Sequence, residues 1–168
     1  TDEFIEKIRI AVKRNKQDGF ILGEVWKNPM RMNRGYLESG KGMDSVMNYP
    51  LREAIIDYVK NGNARLFAET TKMLYSHYPK ANANALMNVL GTHDTERILT
   101  VLGGEDGSKY TNKQLSTKKM SSEERKKAIS LLKLAYSINA TVPGVPCIYY
   151  GDEAGQEGYR DPFNRRPF

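Results

Sequence analysis

The stretch "FILGEVW", residues 20–26, decides how the chain folds. Four apolar or small residues, Phe20 to Gly23, run into a carboxylate, Glu24, and the only tryptophan of the chain, Trp26, stands two residues further on. A short apolar run of this kind reads as a strand covered on both faces, as in parallel sheets flanked by helices. The acid then marks the end of the strand.

The segments around it fit that reading. Upstream, "DEFIEKIRIAVKRNKQDG" puts Phe4, Ile5, Ile8 and Val12 on one face and stops at Gly19, which predicts an amphipathic helix with a glycine cap. Downstream, "NPMRMNRGYLESGKGM" (28–43) is a polar, glycine-bearing loop long enough to have a function of its own. Further strands are predicted at 45–49, 86–91 and 145–150, beside the first at 20–25. Between them lie helical patterns: "LREAIIDYVKNG", closed by Asn-Gly; "NARLFAETTKMLYSHYP", stopped by Pro79; "TERILTVLGG"; and a long helix after the capping box Ser121/Glu124. "GGEDGS" (103–108) reads as a plain loop.

Alternating helices and strands predict an α/β protein with parallel strands. The spacing suits a (β/α)8 TIM barrel, of which four strands are half, so two sheet edges would be left open. An open doubly wound sheet is the alternative, but no glycine-rich phosphate loop follows any strand.

Composition excludes several classes. The 168 residues can bury one core without staples, and no stretch approaches the roughly 18 apolar residues of a membrane span. The net charge of +6 is concentrated in "TNKQLSTKKMSSEERKK" (111–127), which reads as a solvated face, because no aromatic platform for nucleic acid accompanies it. Cys147, alone in an apolar run, reads as an inert buried thiol; it slightly favours a reducing compartment, with an extracellular one left open. The sequon Asn139-Ala140-Thr141 falls inside a helix and is discounted as a glycosylation site.

Three of the four strands end in carboxylates: Glu24, Asp94 and Asp152. One such acid would be an ordinary helix cap, and Asp94 could cap "TERIL". Three at the C-terminal ends of barrel strands, where chemistry collects, suit cleavage of a glycosidic bond. That reaction needs an acid for the leaving oxygen and carboxylates to support an oxocarbenium-like centre. A glutamate on a semi-apolar strand end beside Trp26 suits the acid, and the indole offers a face for a sugar ring. A His93-Asp94 metal site would need more histidines than His77 supplies.

"GEVW", "DSVMNYPLREAI", "MNVLGTHDTERIL" and "PGVPCIYYGDEAGQEGYRDPFNRR" together resemble the α-amylase superfamily of glycoside hydrolases, most closely its neopullulanase and cyclomaltodextrinase branch. The resemblance implies a (β/α)8 catalytic barrel that cleaves or transfers α-glucosidic bonds with retention. It implies that Glu24 is the acid/base after the fifth strand and Asp94 the transition-state-stabilising aspartate after the seventh. His93 would bond the sugar of the first glycone subsite, Trp26 would shape the aglycone side, and Asp161 and Arg165 would contact outer glycone sugars or form a loop salt bridge. Asp152, Tyr149 and Tyr150 are read as structural, Arg97 as an ion-pair residue, and Asn48 with Tyr49 as a strand-end hydrogen-bonding pair.

The same resemblance places the nucleophilic aspartate after the fourth strand, just before residue 1, and runs on past "NRRPF" into a last helix and a β-domain. Residues 1–168 are thus expected to be a partial catalytic barrel domain, fifth to eighth strands, inactive or nearly so when isolated. The implied partner is an α-glucan, with neither nucleic acid nor membrane, and a homo-oligomer through the open edges is the further expectation. No cofactor is expected within these residues; calcium is left open for the full-length protein.

Overall fold

The computed structural model describes residues 2–27, 36–37 and 40–167. Most of the predicted loop 28–43 therefore lies outside the described residues.

Four short strands form the frame: β1 (Leu22–Gly23), β2 (Ser45–Val46), β3 (Met87–Val89) and β4 (Val145–Cys147). β1 pairs with β2 and β3 with β4, both in parallel, and a parallel bridge from Met47 to Met87 links the two pairs. The Asn48 N–H extends that link, donating to the Met87 carbonyl at 2.8 Å. Among the described residues the sheet thus runs β1-β2-β3-β4, and helices carry the returns from β2 to β3 and from β3 to β4, as parallel connections require.

α2 (Tyr49–Asn61) starts where β2 ends. The Asn48 side chain accepts from the Leu51 N–H, Pro50 sits in the first turn, and Gly62 closes the helix at φ 72°, a left-handed position that suits glycine. α3 (Ala64–His77) follows at once, capped by Asn63. α4 (Lys80–Asn84), which no periodicity announces, is one short turn before β3. α5 (Ile98–Gly103), α6 (Asn112–Leu115) and α7 (Ser122–Thr141) complete the helices. Capping boxes open α6 (Thr111/Gln114) and α7 (Ser121/Glu124), so part of the basic run is ordered by caps. Within it, Lys118 also lies over the Tyr110 ring at 4.2 Å and 3.3 Å from Glu105. The predicted loop 103–108 closes α5 and leads into a 3-10 turn at Gly107–Lys109.

The core lies between the helices and β3. Leu51, Ile55, Leu74, Leu86, Leu90, Ile98, Leu99 and Ala128 are all buried. Gly103 lets α5 press against α7, because a Cβ there would stand 2.4 Å from that of Ala128. An amide chain stitches the interior: Asn48 donates to Asn88 Oδ1 at 2.8 Å, Asn88 to the Pro143 carbonyl at 3.1 Å, and Asn139 to the Asn88 carbonyl at 3.2 Å. Asn139 is fully buried, which removes it as a glycan acceptor.

Three expectations are corrected. β1 is not covered on both faces: Phe20 is 58% and Leu22 39% exposed, because β1 is an edge with no described neighbour on its outer side. α1 (Asp2–Asn15) ends four residues before Gly19, and Gly19 is no cap; it is buried where a Cβ would meet Val12 Cγ1 at 2.8 Å. Nor does the apolar face of α1 close on a core, since Phe4 is 65% exposed and Ile8 40%.

Ions hold α1 instead. Asp44 accepts from Arg9 at 2.8 Å, Lys13 at 3.1 Å and the Ile21 N–H at 2.8 Å, tying α1, β1 and the start of β2 together. Burial alone would raise this carboxyl, but those three bonds and the Arg9 charge hold it below its ordinary 3.8.

Candidate active site

Glu24, Tyr49, Asp94 and Asp152 all follow strands, at the C-terminal edge of the sheet. Three clusters form there.

The first is built on β1 and β2. Tyr49, 1% exposed, donates from its hydroxyl to Glu24 Oε1 at 3.3 Å. Its ring lies flat against Trp26, with centroids 3.9 Å apart and planes 14° from parallel, while half of the indole remains exposed. Burial, then the charges of Glu24 and Asp94, push the Tyr49 phenol above its ordinary 10, and a hydrogen bond with Thr92 pulls the other way. Tyr49 therefore stays a donor at neutral pH. Glu24 itself is exposed, not half-buried as its apolar strand suggests.

The second cluster is the turn after β3. Thr92 N–H donates to Thr95 Oγ1 at 2.9 Å and Asp94 N–H to Thr92 Oγ1 at 3.3 Å, which shapes residues 92–95 as a tight turn. Asn164 clamps that turn from the far end of the chain, donating to the His93 carbonyl at 2.7 Å and the Thr95 carbonyl at 2.8 Å. Asp94 does not cap a helix, since α5 begins only at Ile98 with no side-chain cap. Its oxygens instead meet Arg165 at 3.0 Å and His93 Nε2 at 3.3 Å, and Arg165 Nε also reaches Asp161 at 2.6 Å. Arg165 thus bridges Asp94 and Asp161.

The two clusters meet: one donor atom from each of Glu24, His93 and Asp94 lies within 4.8 Å of the others, all three side chains exposed. One nitrogen and two carboxylate oxygens could ligate a divalent cation. The Arg165 guanidinium already on Asp94 opposes a second positive charge there.

The third cluster is sealed. Asp152 and Arg97 have fully buried side chains 3.2 Å apart. Arg97 also donates to the Tyr150 carbonyl, and its guanidinium lies over the Tyr149 and Tyr150 rings at 4.3 and 4.5 Å. Burial pushes the Asp152 carboxyl up to about 6 despite the pull of Arg97. Arg97 is the ion-pair residue that the sequence suggests, and Tyr149 and Tyr150 pack on it.

All six residues singled out as catalytic or sugar-binding therefore fall in the first two clusters. The expected Asn48–Tyr49 pair is not formed, since Asn48 bonds Asn88 and Tyr49 bonds Glu24. The clamping role of Asn164 is not evident in "DPFNRR", where the charged residues stand out and the amide between them does not.

A parallel sheet flanked by helices, with acids gathered at the C-terminal strand ends, places the chain within a (β/α)8-barrel catalytic domain. The chain belongs to the α-amylase family, whose catalytic domain ("Alpha amylase, catalytic domain") matches residues 1–166. It is 36% identical over 166 residues to the cyclomaltodextrinase of Geobacillus thermopakistaniensis, an alignment covering 98% of this chain and 24% of that protein. It is also 36% identical to neopullulanase 2 of Thermoactinomyces vulgaris, covering 98% of this chain and 24% of the relative. Among solved structures it is similar to the cyclic α-maltosyl-(1→6)-maltose hydrolase of Arthrobacter globiformis in complex with maltose, with TM-score 0.76 and 29% identity over 100% of this chain and 33% of that one. The resemblance to the neopullulanase and cyclomaltodextrinase branch is borne out by these relatives. The chain spans about a quarter of the length of these two curated relatives, and 11% of the amylopullulanase of Thermoanaerobacter thermohydrosulfuricus that it also matches.

Proposed function

We propose that residues 1–168 are a partial catalytic barrel domain supplying the acid/base side of an α-glucosidase-type site that cleaves α-glucans with retention. Candidate substrates are starch, maltooligosaccharides, cyclodextrins and pullulan. The observation that carries this reading is the meeting of Glu24, His93 and Asp94 within 4.8 Å at the open strand ends, beside the exposed face of Trp26. Glu24 protonates the leaving oxygen and later activates water. Asp94 supports the oxocarbenium-like centre, held by Arg165 and His93. His93 and the Asp161–Arg165 pair contact glycone sugars, and the indole of Trp26 stacks on an aglycone ring.

Double displacement also needs a nucleophile about 5–5.5 Å from the acid. On this assignment neither Glu24 nor Asp94 is that nucleophile, so the 168-residue chain is expected to bind oligosaccharide without turning it over. Titrating maltotriose while following the emission of Trp26, the only tryptophan, tests the binding half. A saturable change weakened by Asp94→Asn and by Arg165→Ala is expected; no saturable change at any concentration, in emission or in calorimetry, would overturn the reading.

A second reading gives the attack on the anomeric carbon to Asp94, which has an oxygen within 4.8 Å of one from Glu24. A third, non-catalytic reading rests on the edges: Phe20 and Leu22 on the β1 side and Val145 and Ile148 on the β4 side are 39–58% exposed, an apolar invitation to a second copy. Light scattering separates it, since a monomer at high concentration excludes edge pairing.

A further inference from the structure

We propose that Tyr49 is a positioning residue for Glu24: its hydroxyl holds one carboxylate oxygen while its ring carries the Trp26 indole, so that the acid and the sugar-stacking surface form one rigid unit. The inference deepens the glycosidase reading and rests on it for the word "acid"; the physical unit itself does not.

The phenol is well placed to orient others because it is itself buried and anchored. It is the first residue of α2, 1% exposed, and its neighbour Asn48 is fixed twice, by Asn88 at 2.8 Å and by the Leu51 N–H at 3.4 Å. Glu24, by contrast, is an exposed side chain with several free torsions. Among the described residues the Tyr49 hydroxyl is the hydrogen-bond donor that reaches it. A donor on Oε1 selects one rotamer and leaves Oε2 to exchange a proton with a bound sugar. The same ring, on its face, sets the angle at which Trp26 presents its free side. Cleavage needs the acid at a fixed distance from the stacked aglycone ring, and one buried side chain fixes both. Burial, with the Glu24 and Asp94 charges, keeps the phenol protonated, so it remains a donor whether Glu24 carries its proton or not.

The test reads that coupling without sugar or turnover, so its failure is distinct from failure of the glucan reading. Tyrosinate accepts energy from tryptophan, so ionising a phenol 3.9 Å from the only indole quenches Trp26. Alkaline titration of Trp26 emission in the 168-residue chain should show a large quenching step that Tyr49→Phe removes, leaving only the smaller quenching by the other nine tyrosines. Glu24→Gln should move that step to lower pH, because the carboxylate charge opposes ionisation. In acrylamide quenching at neutral pH, Tyr49→Phe should match the parent, since the stack survives, whereas Tyr49→Leu should leave Trp26 more accessible. A step whose amplitude and midpoint are the same in Tyr49→Phe as in the parent, or that Glu24→Gln leaves in place, overturns the proposal. Both of those variants are near-isosteric, so the titration decides the matter even if Tyr49→Leu fails to fold.

Discussion

Two regions at the same edge of the sheet carry the same kind of residue and treat it in opposite ways. Around Glu24 and Asp94 the carboxylates stand in solvent, held by single contacts from Tyr49, His93 and Arg165. Around Asp152 the carboxylate is sealed, with a buried arginine beneath two tyrosine rings. An acid that must meet a substrate has to be reachable and aimed; an acid that joins a loop to a barrel has to be out of reach. The difference lies in what covers the strand end. Tyr149 and Tyr150 lie over Arg97, which holds the buried Asp152, whereas the turn at 92–95 is clamped by Asn164 and leaves the His93 and Asp94 side chains exposed.

The contrast breaks most readily at the sealed site. Asp152→Ala leaves the buried Arg97 guanidinium without its carboxylate partner, with only the Tyr150 carbonyl still accepting, and should cost roughly 3 kcal/mol in urea unfolding. A loss no larger than that of a surface variant would mean that the two regions do not differ as described.

pH sharpens the contrast. The folded chain holds the Asp152 proton more tightly than the unfolded chain does, with a carboxyl near 6 against an ordinary 3.8. Its contribution to stability should therefore fall as pH rises from about 4 to about 6 and be flat above that. Asp152→Asn, which still accepts from Arg97, should flatten this slope in unfolding curves taken across the interval. Asp44 has the opposite sign. Its contribution is present in full above 3.8 and is lost as pH falls through its lowered folded value, releasing α1 first.

Asp44→Asn should cost about 1 kcal/mol at neutral pH, because its partners Arg9 and Lys13 are only 23% and 29% exposed. Proteolysis within 2–20 should accelerate in the same variant. Smallest of all, Glu24→Gln and Asp94→Asn should each change stability by less than about 0.5 kcal/mol, since both side chains are exposed. Unfolding midpoints that drop as far as for Asp152→Ala would place these acids in the architecture and not in the chemistry.

The long elements are legible in the sequence because their signals are local. α2, α3 and α7 carry apolar residues at helical spacing and explicit caps at Asn48, Asn63 and Ser121. α4 and α6, of five and four residues, are too short for periodicity to register. Strands come out shorter than their apolar runs because such a run reports composition, while pairing depends on a neighbour; among the described residues β1 has one on a single side. Glu24, Asp94 and Asp152 have the same signature in sequence, and their division into open and sealed sites comes from tyrosines and an arginine folded over them. Tyr49 does not stand out as a partner of Glu24 when acids after strands are followed, because it is the neutral residue after β2. Its signal is nonetheless present: an aromatic donor at the strand end next to that of Glu24.

The most direct measurement is maltooligosaccharide hydrolysis by the 168-residue chain, with Glu24→Gln as the control for contaminating amylase. No turnover above that control is expected on the proposed assignment, in which Glu24 is the acid/base and Asp94 the stabilising carboxylate, so that neither makes the covalent bond to the sugar. Turnover that Glu24→Gln abolishes would contradict this, and would mean that a carboxylate within these residues, Asp94 first among them, makes the bond to the sugar.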